Sequence, residues 1–168
     1  MPQQTSPFSA FKLRVNINTT IEKAYAAWTS RAGIESWFLR QAIFTDGSGK
    51  ERKANDAIQE TDSYVWRWHG YPDEVAEKGK VLKANGKNIL SFTFSMDCPV
   101  TISIYTELDQ TIVELTESNL PTDEETIKKH YVGDSRGWIF YLANLKSILE
   151  GGLDLRNKND KIQNVITA

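Results

Sequence analysis

A single long amphipathic segment near the end of the chain constrains the fold more than any other feature. The pattern is helical from residue 122 to Glu150, and Gly151-Gly152 ends it. Its apolar side chains recur at helical spacing and form one continuous stripe of Trp138, Leu142, Leu145 and Leu149. Tyr141 and Ile148 widen this stripe. The polar side chains expected to face away from it are Asn144, Lys146 and Glu150.

Short segments of alternating apolar and polar residues precede this helix, and such alternation is typical of half-buried strands. The first covers residues 8–17 and places on one face Phe11, Leu13, Val15 and Ile17. Further strands are predicted at residues 41–45, 62–69, 74–84, 88–96, 100–108 and 111–118. The Asn85-Gly86 pair is a strong signal for a hairpin. Short strands joined by tight turns predict an antiparallel sheet.

Two short helices are predicted after the first strand. Thr19-x-x-Glu22 forms a capping box, in which side chains satisfy the free backbone N–H groups at a helix start. Gly33 interrupts the helical spacing, and a second short helix follows it. Another capping box, Thr122-x-x-Glu125, is predicted to begin the long C-terminal helix.

These elements predict an α+β fold of the helix-grip type. A sheet with one apolar face must cover that face, and the last helix is the only element long enough to do so. We therefore expect a curved antiparallel sheet wrapped around a long C-terminal helix, with two short helices after the first strand. The length of 168 residues fits one domain. Its predicted limits are residues 8–153, with flexible or loosely docked termini at residues 1–7 and 154–168.

The charge and cysteine content argue against several kinds of partner. The net charge is −2 and the basic residues are scattered, so nucleic acid is not expected as a partner. Cys98 is the sole cysteine, and the two histidines, His69 and His130, do not have metal-ligand spacing, so neither a metal nor a cofactor is expected. The sequence contains no apolar run of about 18 residues and no secretory signal, which predicts a cytoplasmic protein without a membrane span.

Several motifs resemble the START-like superfamily, also called SRPBCC, and most closely the homologues of the heat-shock protein 90 ATPase activator. They are NTTIEKAYAAWT at residues 18–29, ESWF at 35–38, YVWRWHG at 64–70, LTES at 115–118 and GWxxYLxxL at 137–145. The resemblance extends over residues 8–153. It implies a helix-grip fold with a cavity under the long helix. Its members include lipid carriers, polyketide cyclases, plant hormone receptors and co-chaperone domains, so it implies no single reaction.

The leading functional hypothesis is non-enzymatic binding of a hydrophobic or aromatic, lipid-like small molecule in that cavity. The residues predicted to contact the ligand from the sheet are Trp66, Trp68, Phe92 and Phe94. Those predicted on the helix are Trp138, Tyr141 and Leu145. The alternative is that these rings only fill the core beneath the helix, as buried aromatic side chains commonly do.

Glu117 is the candidate polar group of the site. It continues the alternation of Val113 and Leu115, so it is expected to face the core, where a carboxyl group needs a partner or has a raised pKa. The alternative is that the strand ends earlier and leaves Glu117 in solvent. A second functional hypothesis is a cyclase or hydrolase in which Glu117 is the catalytic group. Its proton carriers would be Arg67, His69 or Tyr131.

A third hypothesis is a chaperone-interaction module. Ile139 and Phe140 lie off the main helix stripe and are candidates for such a contact, or for a homodimer contact. The eukaryotic co-chaperone has a separate chaperone-binding domain for which this chain has no room, so activation of the chaperone ATPase is not expected.

Two further patterns are interpreted as structural. Residues 133–137 match the nucleophile pattern G-x-S-x-G, but they lie within a predicted helix instead of a strand-to-helix turn, so Ser135 is not expected to be catalytic. The glycines are expected instead to let the helix bend or approach the sheet at the mouth of a pocket. Met96 continues the alternation of Phe92 and Phe94 and is expected in the core.

Overall fold

The computed structural model describes residues 6–162 and 165–166. Seven strands form one antiparallel sheet in the spatial order β1-β7-β6-β5-β4-β3-β2. The strands are β1 (Ala10–Ile17), β2 (Gln41–Thr45), β3 (Ser63–Arg67), β4 (Glu77–Ala84), β5 (Ile89–Phe94), β6 (Cys98–Glu107) and β7 (Gln110–Ser118). Each predicted strand is present, and only its ends differ.

The helices follow the predicted order. They are α1 (Ile21–Trp28), α2 (Arg31–Trp37), α3 (Glu124–Thr126) and α4 (Val132–Leu149), with a π-helical turn (Ile127–Tyr131) between α3 and α4. In this turn, which the sequence did not predict, the N–H of Val132 donates to the carbonyl of Ile127, five residues back. Among the described helices, none combines the length and the apolarity that crossing a membrane requires.

The core lies between the sheet and α4, and α1 and α2 extend it. Its largest fully buried side chains include aromatic ones from α1, from the end of α2 and from the sheet: Trp28, Trp37, Phe38, Trp66 and Phe92. On α4, Trp138, Leu142 and Leu145 are buried as the stripe predicts, and Leu149 packs against the core while partly exposed. The α+β helix-grip architecture is therefore confirmed.

Both predicted helix starts are wrong by one residue. The side chain of Thr20, not Thr19, accepts a hydrogen bond from the N–H of Lys23 at 3.2 Å. At the start of α3, Asp123 replaces Thr122 as the cap and accepts from the N–H of Thr126 at 3.0 Å. The cap is the last residue with an extended backbone, and two adjacent candidates of similar chemistry leave this choice open in the sequence.

Met96 and Asn144 also differ from expectation. Met96 is 54% exposed because β5 ends at Phe94 and a tight turn with positive φ angles covers residues 95–97. Asn144 is fully buried, whereas it was expected to face away from the core. Its side chain donates to the carbonyl of Trp37 at 2.6 Å and accepts from the N–H of Leu155 at 2.7 Å. The chain beyond α4 folds back and covers this face of the helix.

The segment after α4 is anchored by Arg156, whose side chain is 3% exposed. Its guanidinium group donates to three carbonyl oxygens at the end of α2, those of Glu35, Ser36 and Leu39. Residues 154–156 are therefore docked, while the domain limits at 8 and 153 stay a prediction. Of the termini predicted to be flexible, residues 1–5, 163–164 and 167–168 lie outside the described residues.

Gly79 in β4 is required by the close approach of a neighbouring ring. A Cβ added there would lie 2.4 Å from the hydroxyl oxygen of Tyr64 and 2.7 Å from Oγ1 of Thr93. Tyr64 is buried and its hydroxyl donates to the carbonyl of Thr93, so the ring has nowhere to move. We expect Gly79→Ala to lower the free energy of unfolding by about 1–3 kcal/mol in urea denaturation. Gly47→Ala, where an added Cβ meets nothing within 4 Å, is the control, and an equal loss there would contradict this explanation.

Candidate functional site

A cavity of about 170 Å³ lies between α4 and the sheet. Five aromatic side chains, here called the aromatic wall, form most of its lining: Phe38, Trp68, Phe94, Trp138 and Tyr141. The rest comes from the first turns of α4, at Gly133, Asp134 and Gly137. The cavity therefore combines an apolar wall with one carboxyl group.

The rings of the aromatic wall hold one another in place. The ring of Phe38 lies 4.7 Å from that of Tyr141 and 5.1 Å from that of Trp138, measured between centroids. Phe94 lies 5.1 Å from Trp138, and Trp68 lies 5.8 Å from Phe38. Most of these pairs meet edge to face or tilted, which is the favourable geometry for aromatic rings. The wall is therefore formed before any ligand enters.

The predicted ligand-binding residues divide into two groups. Trp68, Phe94, Trp138 and Tyr141 line the cavity. Trp66, Phe92 and Leu145 do not belong to its lining and are buried in the core. Trp66 stacks on Tyr64 with 3.9 Å between ring centroids and meets Phe92 at 5.1 Å, so these rings fill the space they enclose.

Two lining residues were missed, Phe38 and Asp134, and the two glycines, Gly133 and Gly137, were assigned only to a pocket mouth. A signal for Asp134 was present in the sequence. It precedes Trp138 by four residues and Tyr141 by seven, which is the spacing of one helix face. The G-x-S-x-G pattern drew attention to Ser135 instead. In the structure Ser135 is helical, and its hydroxyl donates to the carbonyl of Val132 at 3.1 Å.

Glu117 lies behind the cavity with no solvent exposure. β7 continues to Ser118, so the carboxyl group points to the core side of the sheet, as do Val113 and Leu115. The indole N–H of Trp138 donates to its Oε2 at 3.0 Å. Glu117 thus holds one ring of the aromatic wall in position.

Glu117 and Asp134, here called the carboxyl pair, lie close enough that each changes the pKa of the other. Within residues 6–162 and 165–166, neither Oε1 of Glu117 nor Oδ2 of Asp134 has a hydrogen-bond partner. Burial, followed by the charge of Asp134, raises the pKa of Glu117 to about 8, and burial also raises the pKa of Asp134. Two buried carboxyl groups in contact retain one proton at neutral pH, because ionising both places like charges together. We assign that proton to Glu117 and the negative charge to Asp134.

A histidine approaches the carboxyl pair from the π-helical turn. Nδ1 of His130 lies 2.7 Å from Oγ of Ser95 and 3.7 Å from Oδ2 of Asp134. The side chain of Ser95 also forms a hydrogen bond with Asp134 that lowers the pKa of this carboxyl group. The polar end of the cavity thus brings together a turn of the sheet and the start of α4.

The proton carriers proposed to act with Glu117 have other partners. Arg67 donates to Gln41 Oε1 and to the carbonyl of Asp73, both at 2.9 Å. Tyr131 packs edge to face on Phe8 and Phe11. Burial lowers the pKa of His69, as do Arg156 and Lys158. The groups placed beside Glu117 are instead Asp134 and, through it, His130.

The remaining candidates lie away from the cavity. Ile139 on α4 is 55% exposed, while Phe140 is partly buried and packs on Tyr141 at 5.3 Å. In the part of the chain that the structure describes, no three His, Cys, Asp or Glu side chains are grouped so as to hold a metal ion. The thiol of Cys98 is buried, which raises its pKa.

Known proteins resemble this chain in sequence and in fold. The family described as "Activator of Hsp90 ATPase homolog 1-like protein" matches residues 18–150. No curated protein matches the sequence. A solved protein of Staphylococcus saprophyticus is 18% identical, with a TM-score of 0.68 over 88% of this chain and 96% of that one.

Two further structures resemble the chain over most of their length. The Aha1 dimer from Colwellia psychrerythraea is 20% identical, with a TM-score of 0.65 over 85% of this chain and 97% of that one. A protein of Bacillus halodurans is 19% identical, with a TM-score of 0.61 over 84% and 96% of the two chains. At these identities the likeness to solved structures shows a shared fold.

Proposed function

This chain belongs to the family of activator of Hsp90 ATPase homolog 1-like proteins, and from this premise we propose that it binds a small hydrophobic or aromatic molecule without converting it. The binding site is the cavity between the sheet and α4. The observation that carries this proposal is the aromatic wall, five rings around an unfilled space that ends at a carboxyl group.

The size and chemistry of the cavity limit the ligand. Apolar cavities of about 150 Å³ in other proteins bind benzene, so about 170 Å³ fits one ring or a short alkyl chain. The wall supplies the apolar contact, and Asp134 supplies an acceptor for a hydrogen-bond donor on the ligand. A long lipid would have to extend out of this space.

Binding can be tested with a small aromatic probe and a variant that occupies the cavity mouth. We expect p-cresol to bind the wild-type chain, because its ring fits the aromatic wall and its hydroxyl can donate to Asp134. A Cβ added at Gly133 meets nothing within 4 Å, so Gly133→Leu is expected to fold and to fill part of this space. We expect it to weaken binding at least about tenfold by calorimetry, since a displaced ligand loses several apolar contacts.

The control places the same side chain outside the cavity. Arg136 is exposed on α4 and does not line the cavity, so Arg136→Leu should bind p-cresol as the wild type does. Equal affinities for the wild type and for Gly133→Leu would place the ligand elsewhere. Native mass spectrometry before and after denaturation would show in addition whether the purified chain carries a molecule of its own.

A second candidate function is general acid–base catalysis by Glu117. The observation that favours it is the raised pKa of this buried carboxyl group, about 8, which suits proton exchange near neutral pH. A carbon acid such as acetophenone, bound against the wall, would then exchange its α-hydrogens with deuterium oxide faster than in buffer. Glu117→Gln should abolish that acceleration. Exchange at the buffer rate in the wild-type protein would argue against this candidate.

A third candidate is a protein partner, either a second copy of the chain or a chaperone. The family name, the Aha1 dimer from Colwellia psychrerythraea and the exposed Ile139 support it. Light scattering on the wild type and on Ile139→Glu tests self-association. Stimulation of the ATPase of purified heat-shock protein 90 tests the chaperone. A monomer without such stimulation would remove this candidate.

A further inference from the structure

The cavity has the two features that proteins use to bind organic cations. The faces of aromatic rings carry negative charge density and attract an ammonium group, and cages of such rings bind quaternary ammonium ligands. Five rings form this wall, and two of them are the indoles of Trp68 and Trp138. Indole attracts cations more strongly than the other aromatic side chains do. The wall therefore suits a positively charged ligand as well as an apolar one.

The charges around the polar end of the cavity are mostly negative. Asp134 lines the cavity, and Glu117 is fully buried against it with Oε1 unpartnered among the described residues. Glu77 is a third acid, and its charge raises the pKa of Glu117. The charge of Asp97 in turn raises the pKa of Glu77. Three further groups face the carboxyl pair. Trp138 does so from α4, His130 from the π-helical turn and Ser95 from the β5–β6 turn. Of these three, His130 alone can become cationic.

We propose, on the basis of the ligand site proposed above, that the natural ligand is an amine, with its ammonium group at Asp134 and its hydrocarbon part in the aromatic wall. An ammonium group donates up to three hydrogen bonds and can supply the donor that Oδ2 of Asp134 lacks within the described chain. It also neutralises the charge of the carboxyl pair, and a hydrogen bond between two charged groups is stronger than one between neutral groups.

Ligands of other charge are disfavoured by the same geometry. A carboxylate would meet the negative charge of Asp134 at short range, where burial and that charge already keep Glu117 protonated. A neutral alcohol can donate one hydrogen bond to Asp134 but leaves the buried charge uncompensated. The expected order of affinity is therefore amine, then alcohol, then acid.

Binding of a cation must also release a proton. A positive charge beside the carboxyl pair favours its doubly ionised form, so it lowers the pKa of Glu117 from about 8. Affinity for an amine should therefore rise with pH between about 6 and 8, as long as the amine itself stays protonated. Calorimetry in two buffers of different ionisation enthalpy should detect proton release for an amine and none for an alcohol.

The test compares three probes that share one ring and differ in charge: benzylamine, benzyl alcohol and phenylacetate. We expect the wild-type chain to bind benzylamine at least tenfold more tightly than benzyl alcohol at neutral pH, and to bind phenylacetate most weakly. The double variant Glu117→Gln/Asp134→Asn removes the charge and should lose most of the preference for the amine, keeping only the small part that the rings supply. Glu124→Gln, an exposed acid on α3 paired with Lys128, is the matched control and should keep the preference.

The outcomes separate this inference from the function on which it rests. If benzyl alcohol binds as tightly as benzylamine, and Gly133→Leu weakens both, the cavity binds ligands but the cation inference is overturned. If none of the probes binds and Gly133→Leu changes nothing, the cavity itself is not a ligand site. A preference for benzylamine that is undiminished in the double variant would assign the selectivity to the rings and overturn the role of the carboxyl pair.

Discussion

The variant Glu117→Gln is expected to exceed the wild-type protein in free energy of unfolding by about 3 to 5 kcal/mol near pH 9, and to equal it near pH 5. The reason is the buried position of Glu117, whose pKa in the folded protein is about 8 instead of the usual 4.5. Between these two values the folded chain binds a proton that the unfolded chain does not. Stability contributed by that proton is complete below about pH 4.5 and is lost as the pH rises to 8.

Glutamine keeps the contacts of the protonated acid but does not titrate. Its oxygen can accept from Trp138, as Oε2 of Glu117 does, and its amide offers a donor on the side of Asp134. The variant therefore avoids the loss of stability at high pH. Urea denaturation of both proteins at several pH values measures the difference, in which the titration of groups that do not interact with Glu117 cancels.

A matched control lies in the same strand. Glu114 is partly exposed and interacts with Lys12, which lowers its pKa. A carboxyl group of this kind stabilises the folded state above its unfolded pKa, so Glu114→Gln should leave the protein no more stable than the wild type at high pH. If instead the Glu117→Gln difference is constant from pH 5 to pH 9, Glu117 does not carry the proton.

Arg156→Ala is expected to lower the free energy of unfolding by about 3 to 5 kcal/mol. The guanidinium group donates to the carbonyls of Glu35, Ser36 and Leu39 at 2.8 to 3.0 Å and to the carboxylate of Asp154 at 2.7 Å. Burial raises the pKa of Asp154, but the hydrogen bonds from Arg156 and Lys158 outweigh this and lower it. Alanine would remove this donor from three carbonyl groups and leave the carboxylate to Asn144 and Lys158 alone among side-chain donors.

Two further variants identify the cause of this loss. Arg156→Lys keeps the charge but not the planar fork of donors, so it should recover only a small part of the stability. Lys158→Ala removes a half-exposed partner of the same carboxylate and should change stability by less than about 1 kcal/mol. Thermal and urea denaturation measure all three. A loss below about 1 kcal/mol in Arg156→Ala would mean that the segment after α4 does not hold α2 in place.

Most of the fold could be predicted because each element carries its own periodic signal. The spacing of Trp138, Leu142 and Leu145 predicted the buried face of α4, and alternation in β7 predicted that Glu117 faces inward. The family resemblance drawn from short motifs is likewise confirmed. Asn144 was placed wrongly because its burial depends on Leu155, a residue outside the helix that donates to it.

The cavity could be predicted only in part, because alternation shows which face a ring occupies but not what lies opposite. Trp66 and Trp68 lie on the same side of the sheet, yet Trp66 is enclosed by other rings and Trp68 borders open space. Both rings also meet Phe38, which follows α2 far away in sequence, so the surroundings of neither ring can be derived from its own strand. Distances between elements are set by packing and are absent from any local pattern.

The spatial order of the strands has a consequence for how the chain acquires its structure. β1, made first, pairs along its whole length with β7, so that Ala10 lies opposite Ser118. On the ribosome the first strand must wait unpaired until about a hundred further residues have emerged. Such long-range pairing predicts slow folding, and α4, which completes the cavity, is synthesised later still. The cavity is therefore completed late in folding, and a molecule that binds there can stabilise only a chain in which α4 is already in place.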